Sequence, residues 1–83
     1  MNVLLSKKAE KQIGELNIFI QQKIYNVLKK FELGERVDIQ KMKGKTDEFR
    51  LRIGEFRILM QKIPEGFLVT KVGKRENIYF FEF

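Results

Sequence analysis

The segment Phe49–Ile58 constrains the fold most, because apolar and basic side chains alternate along most of it. A period of two is typical of a β-strand with one buried face. Gly54-Glu55 interrupts the alternation and suits a two-residue hairpin turn, and that loop places Arg52 opposite Arg57. The alternation, continued to residue 60, predicts an apolar face (Phe49, Leu51, Ile53, Phe56, Ile58, Met60) and a basic face (Arg50, Arg52, Arg57).

The basic face of this hairpin indicates an anion site. Like charges directly opposite each other on paired strands are destabilising. Arg52 opposite Arg57, with Arg50 one pleat away, is better explained if an anion binds between them. The alternative is a solvated face whose arginines extend into water. Three arginines on one small patch favour the anion site.

Length and composition indicate one soluble domain spanning residues 1–83. The chain is 43% hydrophobic and 34% charged, as in ordinary globular proteins. It has no cysteine and no histidine, so we expect no zinc-thiolate site, no metal and no cofactor. No apolar run is long enough for a signal peptide or a membrane span, so we expect a cytoplasmic protein without membrane contact.

The net charge of +6 is concentrated in one half of the chain. Residues 41–75 contain ten basic and four acidic side chains, whereas residues 1–40 contain seven and five. A basic half around the hairpin suggests a nucleic acid or an acidic protein as partner. Charge alone does not choose between these two.

The remaining pattern predicts a strand, two helices and further strands. Val3–Leu5 reads as a buried strand, and Ser6 suits the cap of a first helix. A break follows at Leu16–Ile18, and a second helix ends near Leu33-Gly34. After the hairpin, Phe67–Val72 reads as a fourth strand. The order β-α-α-β-β-β predicts an α+β domain with a helical hairpin against a small, mostly antiparallel sheet.

Two segments beside these elements carry further polar candidates. Glu35–Lys45 reads as a connection in which Lys41, Lys43 and Lys45 alternate, either as a nucleic-acid contact or as solvated side chains. The aromatic tail contains Tyr79, whose phenol suits either packing or function.

Four segments in series resemble the RelE/ParE superfamily of toxins from prokaryotic toxin–antitoxin pairs: Val3–Glu10, Lys41–Gly44, Phe49–Arg57 and Val72–Tyr79. The resemblance covers nearly the whole chain. It implies a RelE-like fold and a toxin that a cognate antitoxin neutralises. RelE-like members cleave mRNA in the ribosomal A site, whereas ParE-like members poison DNA gyrase.

The resemblance also implies site residues. The RelE pattern of basic residues in the second and third strands is matched by Arg50, Arg52 and Arg57, and the later arginine and tyrosine by Arg75 and Tyr79. These would stabilise a phosphorane formed when a ribose 2′-hydroxyl attacks the neighbouring phosphate, with Tyr79 stacking on a base or protonating the leaving group. The lysines expected to contact RNA are Lys41, Lys43, Lys45 and Lys74.

The sequence departs from the RelE pattern at the acid–base positions. RelE-type sites can have lysine where this chain has Arg50 and Arg52, and many relatives have histidine where Lys74 stands. Arginine does not readily deprotonate, so the base would be Lys43, Lys45, Lys74 or Glu48, or charge stabilisation alone would carry the rate. The spacing of Arg75 and Tyr79 is shared with ParE-like members. The pattern favours an mRNA endonuclease over a gyrase poison or an inactive scaffold that binds RNA or an antitoxin-like partner.

Overall fold

The computed structural model describes residues 1–44 and 47–75, so Lys45 and Tyr79 lie outside the described residues. Seven elements follow one another: β1 Asn2–Leu5, α1 Lys7–Gly14, α2 Ile18–Glu32, β2 Ile39–Lys41, β3 Glu48–Ile53, β4 Phe56–Ile63 and β5 Gly66–Lys74. The strands form one sheet in the order β1-β5-β4-β3-β2. β1 runs parallel to β5, and the other neighbouring strands are antiparallel. This confirms the predicted α+β fold.

Side-chain caps begin both helices. The hydroxyl of Ser6 accepts a hydrogen bond from the backbone N–H of Ala9 at 3.0 Å. The carboxamide oxygen of Asn17 accepts one from Phe19 at 2.8 Å, which starts α2 directly after the predicted break. No helix in the described part of the chain is long and apolar enough to cross a membrane.

The helices cover one face of the sheet. Ile13 of α1 and Ile24 of α2 are fully buried in one apolar cluster with Leu51, Ile58 and Val69 of the sheet. Phe31 of α2 also packs edge-on against Phe67 of β5, with ring centroids 4.9 Å apart. The apolar stripes of both helices are therefore core.

The β3–β4 hairpin has the predicted register. Ile53 pairs with Phe56, Arg52 with Arg57, and Leu51 with Ile58. Gly54 begins the two-residue loop with φ 59°, a left-handed conformation that glycine adopts without steric cost. The predicted apolar and basic faces are confirmed, because five of the six predicted apolar side chains join the helix-covered cluster and the sixth, Phe56, is also buried.

The segment 35–45 is not only a connection, as the sequence suggested. Its residues Ile39–Lys41 form a fifth strand that pairs with β3 at the sheet edge. Ile39 lies opposite Leu51 and packs against the core, and the Met42 N–H donates to the Glu48 carbonyl at 2.9 Å. Three residues are too few for a clear alternation, so pairing with β3 determines this strand.

We predict that Gly66→Ala destabilises the fold strongly. Gly66 has φ 148°, and a Cβ there would lie 2.0 Å from the backbone oxygen of Asn2 in β1. The side chain would push β1 away from β5, and the backbone strain adds to this, so the free energy of unfolding should fall by at least about 2 kcal/mol. Urea unfolding followed by circular dichroism measures the change.

The matched control is Gly14→Ala at the end of α1. An added Cβ at Gly14 meets nothing within 4 Å, and alanine favours helix more than glycine does. This variant should be as stable as the wild type or more so. A Gly66→Ala protein of wild-type stability would contradict the close approach of β1 and β5.

Candidate functional site

Four predicted arginines surround one depression on the sheet face opposite the helices. Its volume is about 350 Å³. Neighbouring strands bring its walls together, because Gln40 of β2 lies opposite Arg50 and Arg52 of β3 lies opposite Arg57. The lining residues are Asp38, Gln40, Arg50, Arg52, Arg57 and Arg75.

Arg57 is the buried cation of the depression, with 8% of its surface exposed. Its Nη1 donates to the carbonyl oxygens of Gly54 at 2.8 Å and Phe56 at 3.0 Å. Among residues 1–44 and 47–75, no carboxylate forms an ion pair with it. A buried charge without a counter-charge lowers stability. The hairpin backbone thus holds a positive charge that the described protein does not neutralise.

Arg52 lies beside Arg57 and is held by an acidic residue. The backbone N–H of Arg52 donates to the Asp38 carbonyl at 2.9 Å, so this N–H forms no hydrogen bond with β4. The pair Arg52–Arg57 is therefore a non-hydrogen-bonded one, in which Cα atoms approach to about 4.5 Å. The Nε of Arg52 donates to Oδ2 of Asp38 at 2.6 Å, and these side chains are 61% and 52% exposed. This contact orients the guanidinium of Arg52.

The other two arginines lie at opposite sides of the depression. Nη2 of Arg50 donates to Oε1 of Gln40 at 2.5 Å, which holds this guanidinium over the β2–β3 pair. The backbone N–H of Arg75 donates to the Glu55 carbonyl at 2.9 Å, so Arg75 lies against the hairpin turn. Gly73 of β5 lies opposite Arg57, and glycine has no side chain that could fill the space beside the Arg57 guanidinium.

The arrangement is suited to binding a phosphate. Four guanidinium groups and one carboxylate line the depression, so positive charge dominates it. Guanidinium groups bind phosphate oxygens in pairs of parallel hydrogen bonds and remain charged at any physiological pH. Burial of Arg57 lowers the local dielectric constant and strengthens its attraction for an anion. The lining therefore has the chemistry of an anion site.

Of the four predicted lysines, the three that the structure describes do not line this depression. Lys41 lies opposite Phe49 and Lys74 opposite Phe56, which places both on the strand face that the helices cover. Lys43 is exposed in the turn after β2. Lys45 and Tyr79 fall outside the described residues. Their roles in RNA binding and catalysis remain predictions.

Sequence reasoning missed Asp38 and Gln40. Both lie on the depression because they alternate with Ile39, which faces the core. The signal was the short alternation Val37-Asp38-Ile39-Gln40, which resembles half a strand. It was too short to be separated from the connection around it.

Comparisons with known proteins identify the fold. No family model matches the chain, and no curated protein matches it in sequence. Its structure is similar to a RelB–RelE antitoxin–toxin complex from Methanococcus jannaschii, with 22% identity over 94% of this chain and 96% of that one and a TM-score of 0.81. The isolated Escherichia coli RelE toxin gives 21% identity over 96% and 92%, and a TM-score of 0.74.

A third solved structure is an archaeal complex. The RelE–RelB complex from Pyrococcus horikoshii shares 19% identity over 92% of this chain and 96% of that one, with a TM-score of 0.73. The matches cover nearly the whole of both chains. The chain therefore has the RelE-like fold that its sequence predicted.

We predict that Arg57→Met removes anion binding without unfolding the protein. Methionine fills a similar volume and removes a buried charge that lacks a counter-ion, so the free energy of unfolding should fall by no more than about 1 kcal/mol. Pyrophosphate should raise the melting temperature of the wild type, because a ligand that binds the folded state stabilises it. That rise should shrink by more than half in Arg57→Met.

The control for lost charge is Lys23→Met on the exposed surface of α2. It removes one positive charge away from the depression and should keep the full pyrophosphate effect. Equal loss in both variants would mean that net charge, and not the depression, binds the anion.

Proposed function

We propose that this chain is the toxin of a toxin–antitoxin pair and cleaves mRNA on the ribosome. The observation that carries the proposal is the depression on a sheet with the RelE-like fold. It is lined by four arginines, and one of them is the buried Arg57, which no carboxylate among the described residues neutralises. Such a depression suits the phosphate between two nucleotides. Its place of action would be the cytoplasm, where ribosomes translate.

The proposed reaction is an attack within the RNA strand. The ribose 2′-oxygen bonds to the neighbouring phosphorus, and the bond from phosphorus to the 5′-oxygen of the next nucleotide breaks. The products are a 2′,3′-cyclic phosphate and a 5′-hydroxyl. Negative charge accumulates on the phosphorane, where Arg57 and Arg52 would stabilise it most directly. Arg50 and Arg75, at the sides, would position the strand.

The proposed protein partner is a cognate antitoxin. The similar solved structures from Methanococcus jannaschii and Pyrococcus horikoshii are complexes of RelE with RelB. A net charge of +6 favours an acidic partner, since opposite charges steer association. We propose that such a partner neutralises the toxin.

A second candidate is a gyrase poison of the ParE type, which binds without chemistry of its own. One observation favours it: among the described residues, neither lysine nor histidine lines the depression to remove a proton. Charge alone would be sufficient for binding DNA or an acidic protein surface. The experiment that follows separates the two candidates.

We predict that the wild type cuts a reporter mRNA at A-site codons in a translating extract and that Arg57→Met does not. The loss should be about 10²-fold or more in rate, because the charge acts on the phosphorane. Primer extension maps and quantifies the cuts. Arg75→Ala should also weaken cleavage.

Lys23→Met should cut at the wild-type rate, since its side chain lies on α2 and outside the depression. An uncut message with wild-type protein would contradict the nuclease proposal. Inhibited supercoiling by purified gyrase would then favour the ParE-type function, and absence of both effects would favour an inactive binding scaffold.

A further inference from the structure

The depression contains one carboxylate, that of Asp38. Its Oδ2 accepts from Nε of Arg52 at 2.6 Å, and its Oδ1 has no hydrogen-bond partner among residues 1–44 and 47–75. The side chain is half exposed, and it lines the depression together with Arg57. A half-exposed carboxylate that is held through one of its two oxygens has the chemistry of a proton acceptor.

The bases that the sequence suggested are poorly placed where the structure describes them. Lys74 is on the face that the helices cover, and Lys43 is in the turn after β2. Glu48 is four residues from Arg52 along β3, which is roughly 13 Å at the rise of a strand. The arginines cannot release their protons at physiological pH. Asp38 is the lining side chain that can accept one.

Arg52 connects this carboxylate to the phosphate position. Its Nε donates a hydrogen bond to Asp38, whereas Nη1 and Nη2 have no acceptor among the described residues. A phosphate bound to these two nitrogens would lie beside the carboxylate, on the same planar group. The ribose 2′-hydroxyl is attached to the carbon next to the one that bears this phosphate, so it would come within reach of Oδ1.

We infer that Asp38 is the general base of the reaction. This rests on the proposed nuclease function and names the residue that begins it. Oδ1 takes the proton of the 2′-hydroxyl while the 2′-oxygen bonds to phosphorus. The bond from phosphorus to the 5′-oxygen breaks with its electron pair, and the 5′-oxygen takes a proton from water. Asp38 then returns its proton to solvent.

The test compares Asp38→Asn with wild type in single-turnover cleavage of mRNA on programmed ribosomes. Asparagine keeps the size of the side chain but cannot accept the proton, so the rate should fall by about 10² to 10⁴-fold. Asp38→Glu keeps the carboxylate and should recover part of the activity. Melting temperatures check that the variants fold.

The matched control is Asp47→Asn, which removes the same charge from an exposed residue outside the depression. It should cleave at the wild-type rate.

The outcomes separate this inference from the function on which it rests. Wild-type protein that leaves the message uncut would overturn both. Cleavage by wild type and Asp38→Asn at equal rates would overturn the role of Asp38 and leave the nuclease function standing. An Asp38→Asn variant that is slow, together with an Asp38→Glu variant that recovers none of the activity, would also overturn it, because Asp38 would then only position Arg52.

Discussion

The burial of Arg57 inside the basic face is the constraint on which the candidate site depends. Its guanidinium is fixed by two carbonyl oxygens of the hairpin that carries it, those of Gly54 and Phe56. No carboxylate among the described residues neutralises its charge, so burial of this charge lowers the stability of the folded protein. A bound phosphate would offset that loss. Because the holding groups are backbone atoms, the charge has a defined position before any ligand arrives, which is what electrostatic catalysis requires.

The period of two along the strands places the core side chains on one face of the sheet and the candidate-site side chains on the other. Leu51 and Ile58 bury one face beneath the helices, while Arg52 and Arg57 occupy the other. A slip of one residue would exchange the faces, placing arginines in the core. The core therefore enforces the arrangement of the site. The short strand β2 follows the same rule, with Ile39 in the core and its neighbours Asp38 and Gln40 on the depression.

The sequence was sufficient to predict the hairpin register, because a two-residue loop and a strict alternation leave little choice. It could not predict that Arg57 is buried, since that depends on the carbonyls of a folded turn. Nor could it place Asp38, because β2 is recognisable only once it pairs with β3. Lys41 was expected to contact RNA and is close to the arginines in sequence. Because it lies opposite Phe49, its side chain is on the helix-covered face of the sheet and not on the face of the arginines.

Two features of the depression contribute little to folding, and the proposed function accounts for both. The exposed pair of Arg52 and Asp38 is of a kind that adds about 0–1 kcal/mol to stability. The buried charge of Arg57 opposes folding. Proteins tolerate such costs chiefly where function requires them. Under the proposed function, the arginines would bind the phosphate and Asp38 would accept the proton, so one depression would contain both groups that the reaction needs.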